Sequence, residues 1–376
     1  MTREEYRAAM DDAAYLAGCA VRRETPDAQR AAAMDLERLY EAAEKHMISA
    51  AVGMALETAR VSDARFVKAA ALAQRKAALL DADRAAIQEK LEEAGIWYMP
   101  LKGAVLKELY PRFGMREMAD IDILIDADRA EDVRQIMEGL GFVTDSFGCF
   151  HDDAYSKPPV SHFEMHRTLF SAAAESQLHA YYADVRERLI PEEGSQYGFR
   201  FTDEDFYLYL IAHEYKHYTG GGTGLRSLLD TYVFLRTKSL DEAYVAREAE
   251  RLGIADFERK NRSLAFRLFD GEELTPEERE RLDYMICSGT FGTAENDVGA
   301  QIAEKGRWAY FLSWLHPSRE IMIESFPVLR EKPALTPVFR VWRLIRAFVS
   351  GDRAYRRQCR RARLRALLGR DRKNSE

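Results

Sequence analysis

Residues 120–125 read Asp-Ile-Asp-Ile-Leu-Ile, and no other stretch of the chain restricts its fold so tightly. Polar and apolar residues alternate with the period of a β-strand, in which side chains two apart share a face. Asp120 and Asp122 therefore project together, while Ile121, Ile123 and Ile125 project to the opposite side. Two carboxylates side by side on a buried sheet repel each other and lose hydration. A divalent cation between them removes that conflict. Mg²⁺ suits the position, because it is a hard ion commonly held by one or two carboxylates together with substrate phosphates. The alternative is a solvated strand face with two exposed aspartates, against which stands the depletion of Asp in strands.

A second alternating run, residues 161–167, carries Glu164 with His162 and His166 at the same parity. If this strand lies beside the first, Glu164 completes a three-carboxylate cluster of the kind that holds two metals about 3.5–4 Å apart. Otherwise Glu164 sits on an exposed strand edge. The two histidines read as contacts to substrate or to the carboxylates rather than as metal ligands. Upstream, Lys102 and Gly103 stand where a short β-prone run, residues 96–101, gives way to a helical one, residues 104–110. Glycine there lets the backbone approach a phosphate, and Lys102 adds a point charge. A plain strand-to-helix turn is the alternative. Arg116, four residues before Asp120, either reaches a phosphate or pairs with a nearby aspartate.

The rest of the chain frames this segment. Its 376 residues amount to about two domains at roughly 150 residues each. With 47% hydrophobic and 11% aromatic residues, wholesale disorder is excluded. No apolar run approaches the roughly 20 residues of a membrane span. The charged start, Met1-Thr2-Arg3-Glu4-Glu5, shows no secretory signal, and Cys19, Cys149, Cys287 and Cys359 form no CxxC pair. Free thiols and a cytoplasmic location are expected. Residues 1–92 read as helical, with helices over 37–56 and 66–94. Residues 93–200 read as a mixed α and β core, and residues 201–376 as helical again, with a proline-punctuated loop passage around 317–337. In the last region His213 and His217 have a zinc-binding spacing with no third ligand evident. The glycine run 220–222 is either a loop closing over substrate or a linker between helices, and Arg226 and Asp230 share a helix face and are expected to pair. Thirteen Lys or Arg against three acids give residues 340–376 a charge of +10, so residues 1–339 carry −17. Such a tail fits nucleic acid, an acidic membrane surface or the protein's own acidic body; nucleic acid is not favoured, since no RNA-binding aromatic motif accompanies it.

The strand, Leu101-Lys102-Gly103, helix, Arg116 and Asp120-Ile121-Asp122-Ile123-Leu124-Ile125 together resemble the polymerase-β-like nucleotidyltransferase superfamily, and more closely a bacterial family of uncharacterised nucleotidyltransferases. Residues 213–217, 224–230 and 316–320 are similar to that family's downstream part, so the resemblance spans about 90 to 345. It implies an α+β fold, in which a small mixed β-sheet core is flanked by N-terminal and C-terminal helical regions. It implies Mg²⁺-dependent transfer of a nucleoside monophosphate from an NTP to a hydroxyl-bearing acceptor, with pyrophosphate leaving. Two Mg²⁺ ions are expected, with Mn²⁺ able to substitute. Asp120 and Asp122 match the metal-binding pair and Glu164 would be the third carboxylate. Lys102, Gly103 and Arg116 would seat the nucleotide. The superfamily carries Gly-Gly or Gly-Ser where this chain has Lys102-Gly103-Ala104, and its glycine-to-aspartate spacing is shorter. These departures support the alternative, a non-catalytic nucleotide-binding or interaction protein on a degenerate core. Neither the acceptor nor the oligomeric state is encoded in a recognisable motif.

Overall fold

The computed structural model describes residues 1–290, 298, 299, 302 and 306–349, with side chains as far as 345. The basic tail beyond 349, with Cys359, lies outside the described residues. Helices α1 (Arg3–Arg22), α2 (Ala28–Ala33), α3 (Leu36–Lys45), α4 (Ser49–Thr58) and α5 (Ala64–Glu93) precede the first strand. The sheet region holds β1 (Tyr98–Pro100), α6 (Gly103–Leu106), β2 (Ile121–Ile125), α7 (Ala130–Gly139), β3 (Val143–Ser146), β4 (Asp152–Lys157) and β5 (Ser161–His166). After α8 (Ser176–Tyr181) and a small ribbon, β6 (Ile190–Pro191) with β7 (Phe199–Arg200), the chain returns to helices. These are α9 (Asp203–Gly220), α10 (Leu225–Thr237), α11 (Glu242–Leu252), α12 (Ala255–Asp270) and α13 (Pro276–Ser288). The architecture is α+β, as expected.

The five strands run in the order β1-β2-β5-β4-β3. β2 and β5 are parallel, and the other neighbours are antiparallel. The alternation read in the sequence sorts their side chains. Ile121, Ile123 and Ile125, with Phe163 and Met165 of β5, pack on Leu80, Ile87 and Leu91 of α5 and on Val133 and Met137 of α7. The opposite face, represented by Leu124, Met99 and Leu101, packs on Phe206 and Leu210 of α9. The sheet is thus covered on both sides, and its acidic positions look toward α9.

A further core joins the two helical ends of the chain. Met10, Leu16 and Ala17 of α1 and Val52 and Leu56 of α4 meet Leu228 and Tyr232 of α10, Leu264 of α12 and Met285 of α13. The expected helix over 37–56 is broken between α3 and α4. The cause is tertiary: His46 at the break is fully buried. Its Nδ1 accepts a hydrogen bond from the Leu225 amide at 3.1 Å, and its Nε2 faces the Tyr6 hydroxyl at 3.1 Å. Burial pushes its pKa down to about 3, so the ring is neutral, with the remaining proton on Nε2. The expected loop passage is also more regular than its prolines suggested, containing helices Arg319–Ser325, Val328–Glu331 and Thr336–Val349. Pro327, Pro333 and Pro337 stand at the starts of helical segments, where a missing amide proton costs nothing. Among the described residues no helix is long and apolar enough to cross a membrane.

The crossing of α1 and α12 depends on Gly18, where an added Cβ would lie 2.5 Å from the Phe269 carbonyl oxygen. Gly18→Ala is expected to lower stability by about 1–3 kcal/mol through overpacking, read as a reduced urea midpoint at unchanged m-value.

Candidate functional site

Three elements deliver the acidic cluster. β2 presents Asp122, with Asp120 one residue before the strand. β5 presents Glu164 and His166 on the same face. The parallel register sets Asp122 directly opposite Glu164. β4 then brings Asp152 opposite His166. The nearest ligand atoms of Asp122, Glu164 and His166 lie within 4.8 Å of one another, and no other such group occurs among the described residues. Asp120 adjoins this trio but is not part of it; His166, read from the sequence as a contact only, occupies the third place. Asp152 was not singled out in the sequence, because its approach depends on a hairpin register that local periodicity does not reveal.

Charge balance within the cluster is tight. Lys102 Nζ is 3.2 Å from Asp122 Oδ2. His166 Nε2 is 2.9 Å from Asp122 Oδ1 and 3.6 Å from Glu164 Oε2. Burial by itself would raise the Asp122 pKa, but Lys102 and His166 overrule it and hold the carboxyl well below the usual range. Burial would likewise lower the His166 pKa, whereas its bonds to Asp122 and Glu164 push it up to about 9. Asp120 has no such partner, and burial followed by the charge of Asp122 raises its pKa. Burial raises Asp152 as well. His166 Nδ1 is buried without a hydrogen-bond partner. This crowd of carboxylate oxygens, charge-compensated only in part by Lys102 and His166, has the chemistry of a divalent-cation site.

The turn before α6 is shaped by Lys102 and Gly103. The left-handed residue is Lys102, at φ 35° and ψ −107°. That conformation costs of order 1–3 kcal/mol for a side-chain-bearing residue. It persists because Leu101 N donates to Asp122 O at 2.9 Å and Leu106 N donates to Lys102 O at 2.8 Å, clamping the turn between β2 and α6. The result aims the ammonium at Asp122. Gly103 serves a close approach from beneath, since a Cβ there would lie 2.7 Å from Arg116 Nη1 and 2.8 Å from Met118 Cε. α6 is only four residues long, so its dipole contributes little. Arg116 takes the second option left open by the sequence. Its Nε and Nη2 donate to the two oxygens of Asp230 at 2.7 and 2.8 Å, with both side chains buried. Tyr110 donates to the same carboxylate at 2.8 Å. The expected Arg226–Asp230 pair therefore does not form, because Asp230 is already saturated from another element.

These groups open on a cavity of about 300 Å³ between the sheet and helices α9 and α10. Asp120, Asp122 and Glu164 line one wall; His213, Lys216 and Arg226 line the other.

A family model described as "Uncharacterised nucleotidyltransferase" matches residues 32–270. The chain belongs to this nucleotidyltransferase family. The match begins in the N-terminal helices and ends with α12, so it starts and stops earlier than the resemblance read from the sequence; residues 316–320 lie beyond it. Among solved structures the chain is similar to an antigenic nucleotidyltransferase-like protein from Paracoccidioides brasiliensis, at 14% identity and a TM-score of 0.34, over 55% of this chain and 96% of that one. No curated protein matches.

In this member of the family the α9 wall carries a pair of imidazoles. His213 and His217 bring their Nε2 atoms to 3.0 Å. No third metal-binding side chain joins them among the described residues. Burial, then the charge of Lys102, drives the His213 pKa far down. Their neighbour Glu214 points into the helical core, accepting from Thr231 Oγ1 at 3.1 Å and Asn261 Nδ2 at 2.9 Å. Its other oxygen is buried and unpartnered, and burial raises its pKa to about 7.

Two outcomes follow. Asp230→Ala leaves Arg116 as an uncompensated buried charge and is expected to cost about 3–5 kcal/mol in urea unfolding. Glu214 keeps its proton in the folded chain over a range where the unfolded carboxyl, near pKa 4.3, releases it. Stability is therefore expected to fall by up to about 3 kcal/mol as pH rises from about 4.5 through 7. Glu214→Gln should flatten that part of the urea-midpoint-against-pH curve.

Proposed function

We propose that this nucleotidyltransferase moves a nucleoside monophosphate from an NTP to a hydroxyl-bearing acceptor, in the manner of the polymerase-β-like superfamily and of the bacterial family it resembles. The acceptor hydroxyl forms a bond to the α-phosphorus, the bond to the β-phosphate oxygen breaks, and pyrophosphate leaves. The observation that carries this reading is the register of β2 with β5. It sets Asp122 beside Glu164, with Asp120 adjacent, on a face that opens into a cavity beside Lys102.

Asp120, Asp122 and Glu164 would hold Mg²⁺, two ions with Mn²⁺ able to substitute, and His166 positions the Asp122 carboxylate through its Nε2 contact. When bound, the metal lowers the pKa of the attacking hydroxyl and neutralises charge on the leaving pyrophosphate. Glu164 is the most exposed of the close trio, with 30% of its side chain accessible, and accepts the hydroxyl proton. Lys102 stands at the acidic end of the cavity and contributes a positive charge toward the phosphates, while Gly103 with Arg116 braces its turn. The substrate pool would be cytoplasmic NTP.

Calorimetric titration of a non-hydrolysable NTP with Mg²⁺ or Mn²⁺ tests the reading. Replacing Asp122 by Asn and Glu164 by Gln together is expected to weaken metal-dependent binding at least about tenfold, by removing two charged ligands, and to abolish pyrophosphate release. Tight binding that needs no metal and survives both substitutions would instead identify a non-catalytic nucleotide-binding protein.

A further inference from the structure

Arg226 lies in the first turn of α10 and lines the cavity on the wall opposite the carboxylates. Its Nη1 donates to the Glu117 carbonyl at 3.2 Å and lies 3.1 Å from Met47 Sδ. Its Nε is buried with no hydrogen-bond partner. Among the described residues no carboxylate lies within ion-pairing distance of it. Asp230, one turn along the same helix, is spent on Arg116 and Tyr110. Burial and then the neighbouring Arg116 charge depress the Arg226 pKa against the opposite pull of Asp230 and Asp120, so the nearby acids answer its charge only in part. Lys216 of α9 adds to the excess: burial lowers its pKa, and its nearest carboxylate oxygen, on Glu175, is 3.9 Å away.

A partly buried guanidinium with no carboxylate in ion-pair contact gains from a ligand that supplies the anion. The fork of arginine matches phosphate oxygens two at a time. The opposite wall is acidic, so the cavity accommodates a ligand that brings a cation to one side and a polyanion to the other.

We propose that Arg226, supported by Lys216, is the anion-binding arm of this cavity and takes the polyphosphate end of the nucleotide, the part released as pyrophosphate. The assignment deepens the nucleotidyl-transfer reading and rests on it. It gives Arg226 the role that the sequence suggested for Arg116.

The test is calorimetry on the full chain with pyrophosphate and tripolyphosphate in the presence of Mg²⁺. Wild type is expected to bind both. Arg226→Gln should weaken both at least about tenfold, the effect of losing a charge-assisted pair. Arg226→Lys, which keeps the charge and loses the fork, should weaken them about three- to tenfold. Mn²⁺ binding at the carboxylates, followed by electron paramagnetic resonance, should persist in both variants. Unchanged pyrophosphate affinity in Arg226→Gln overturns the assignment and leaves the nucleotidyl-transfer reading standing. If Arg226→Gln does not fold, unchanged affinity in Arg226→Lys overturns it equally. Failure of the wild type to bind pyrophosphate, tripolyphosphate or any of the four common NTPs overturns both.

Discussion

Two carboxylates forced side by side are the constraint around which this molecule is arranged. Asp122 and Glu164 are neighbours because β2 and β5 run parallel in one register. Their mutual repulsion has to be met by positive charge close at hand. Lys102 and His166 meet it from either side. The strained turn at Lys102, the glycine that follows and the buried Arg116 beneath form a chain of consequences: each holds the next so that one ammonium reaches one carboxylate. Asp120 and Asp152 are not held in this way, and burial, which outweighs the cations near them, raises their pKa values.

The helical part of the chain does more than enclose the sheet. Helices from both ends share a core that seats α10, while α9 is seated by the core it shares with the sheet. His46 is a useful example. It interrupts one N-terminal helix in order to cap the first turn of α10, so a local irregularity near the start of the chain fixes the helix that carries Arg226. The opposing wall is consequently basic, through Lys216 and Arg226. Its histidines are neutral, since imidazolium would face Lys102 and Lys216 in a setting that solvates charge poorly.

Much of the site was legible from residue order because its periodicity is local. The run from Asp120 to Ile125 told which side chains share a face, and the parity of Glu164 with His166 told the same for a second strand. Ion pairing was not legible. Arg226 and Asp230 are four apart on one helix, yet the acid is claimed by Arg116, 114 positions away. A bidentate guanidinium contact in a buried setting outweighs an exposed-type helix pair worth a few tenths of a kcal/mol. The role of Gly103 was obscured for the same reason, because the atoms it makes room for belong to Arg116 and Met118.

Taken alone, the amino-acid order determined the α+β character, the two faces of β2 and β5, and the identity of the acids able to gather there. These depend on dihedral preferences and on water's rejection of apolar side chains, both of which act over a few residues. Tertiary packing decided that β5 lies beside β2 in parallel register, that His166 and Asp152 join the acids, and that Arg116 is ion-paired while Arg226 is not. Such choices depend on distances between segments far apart in the chain, and only the burial of all three cores at once sets those distances.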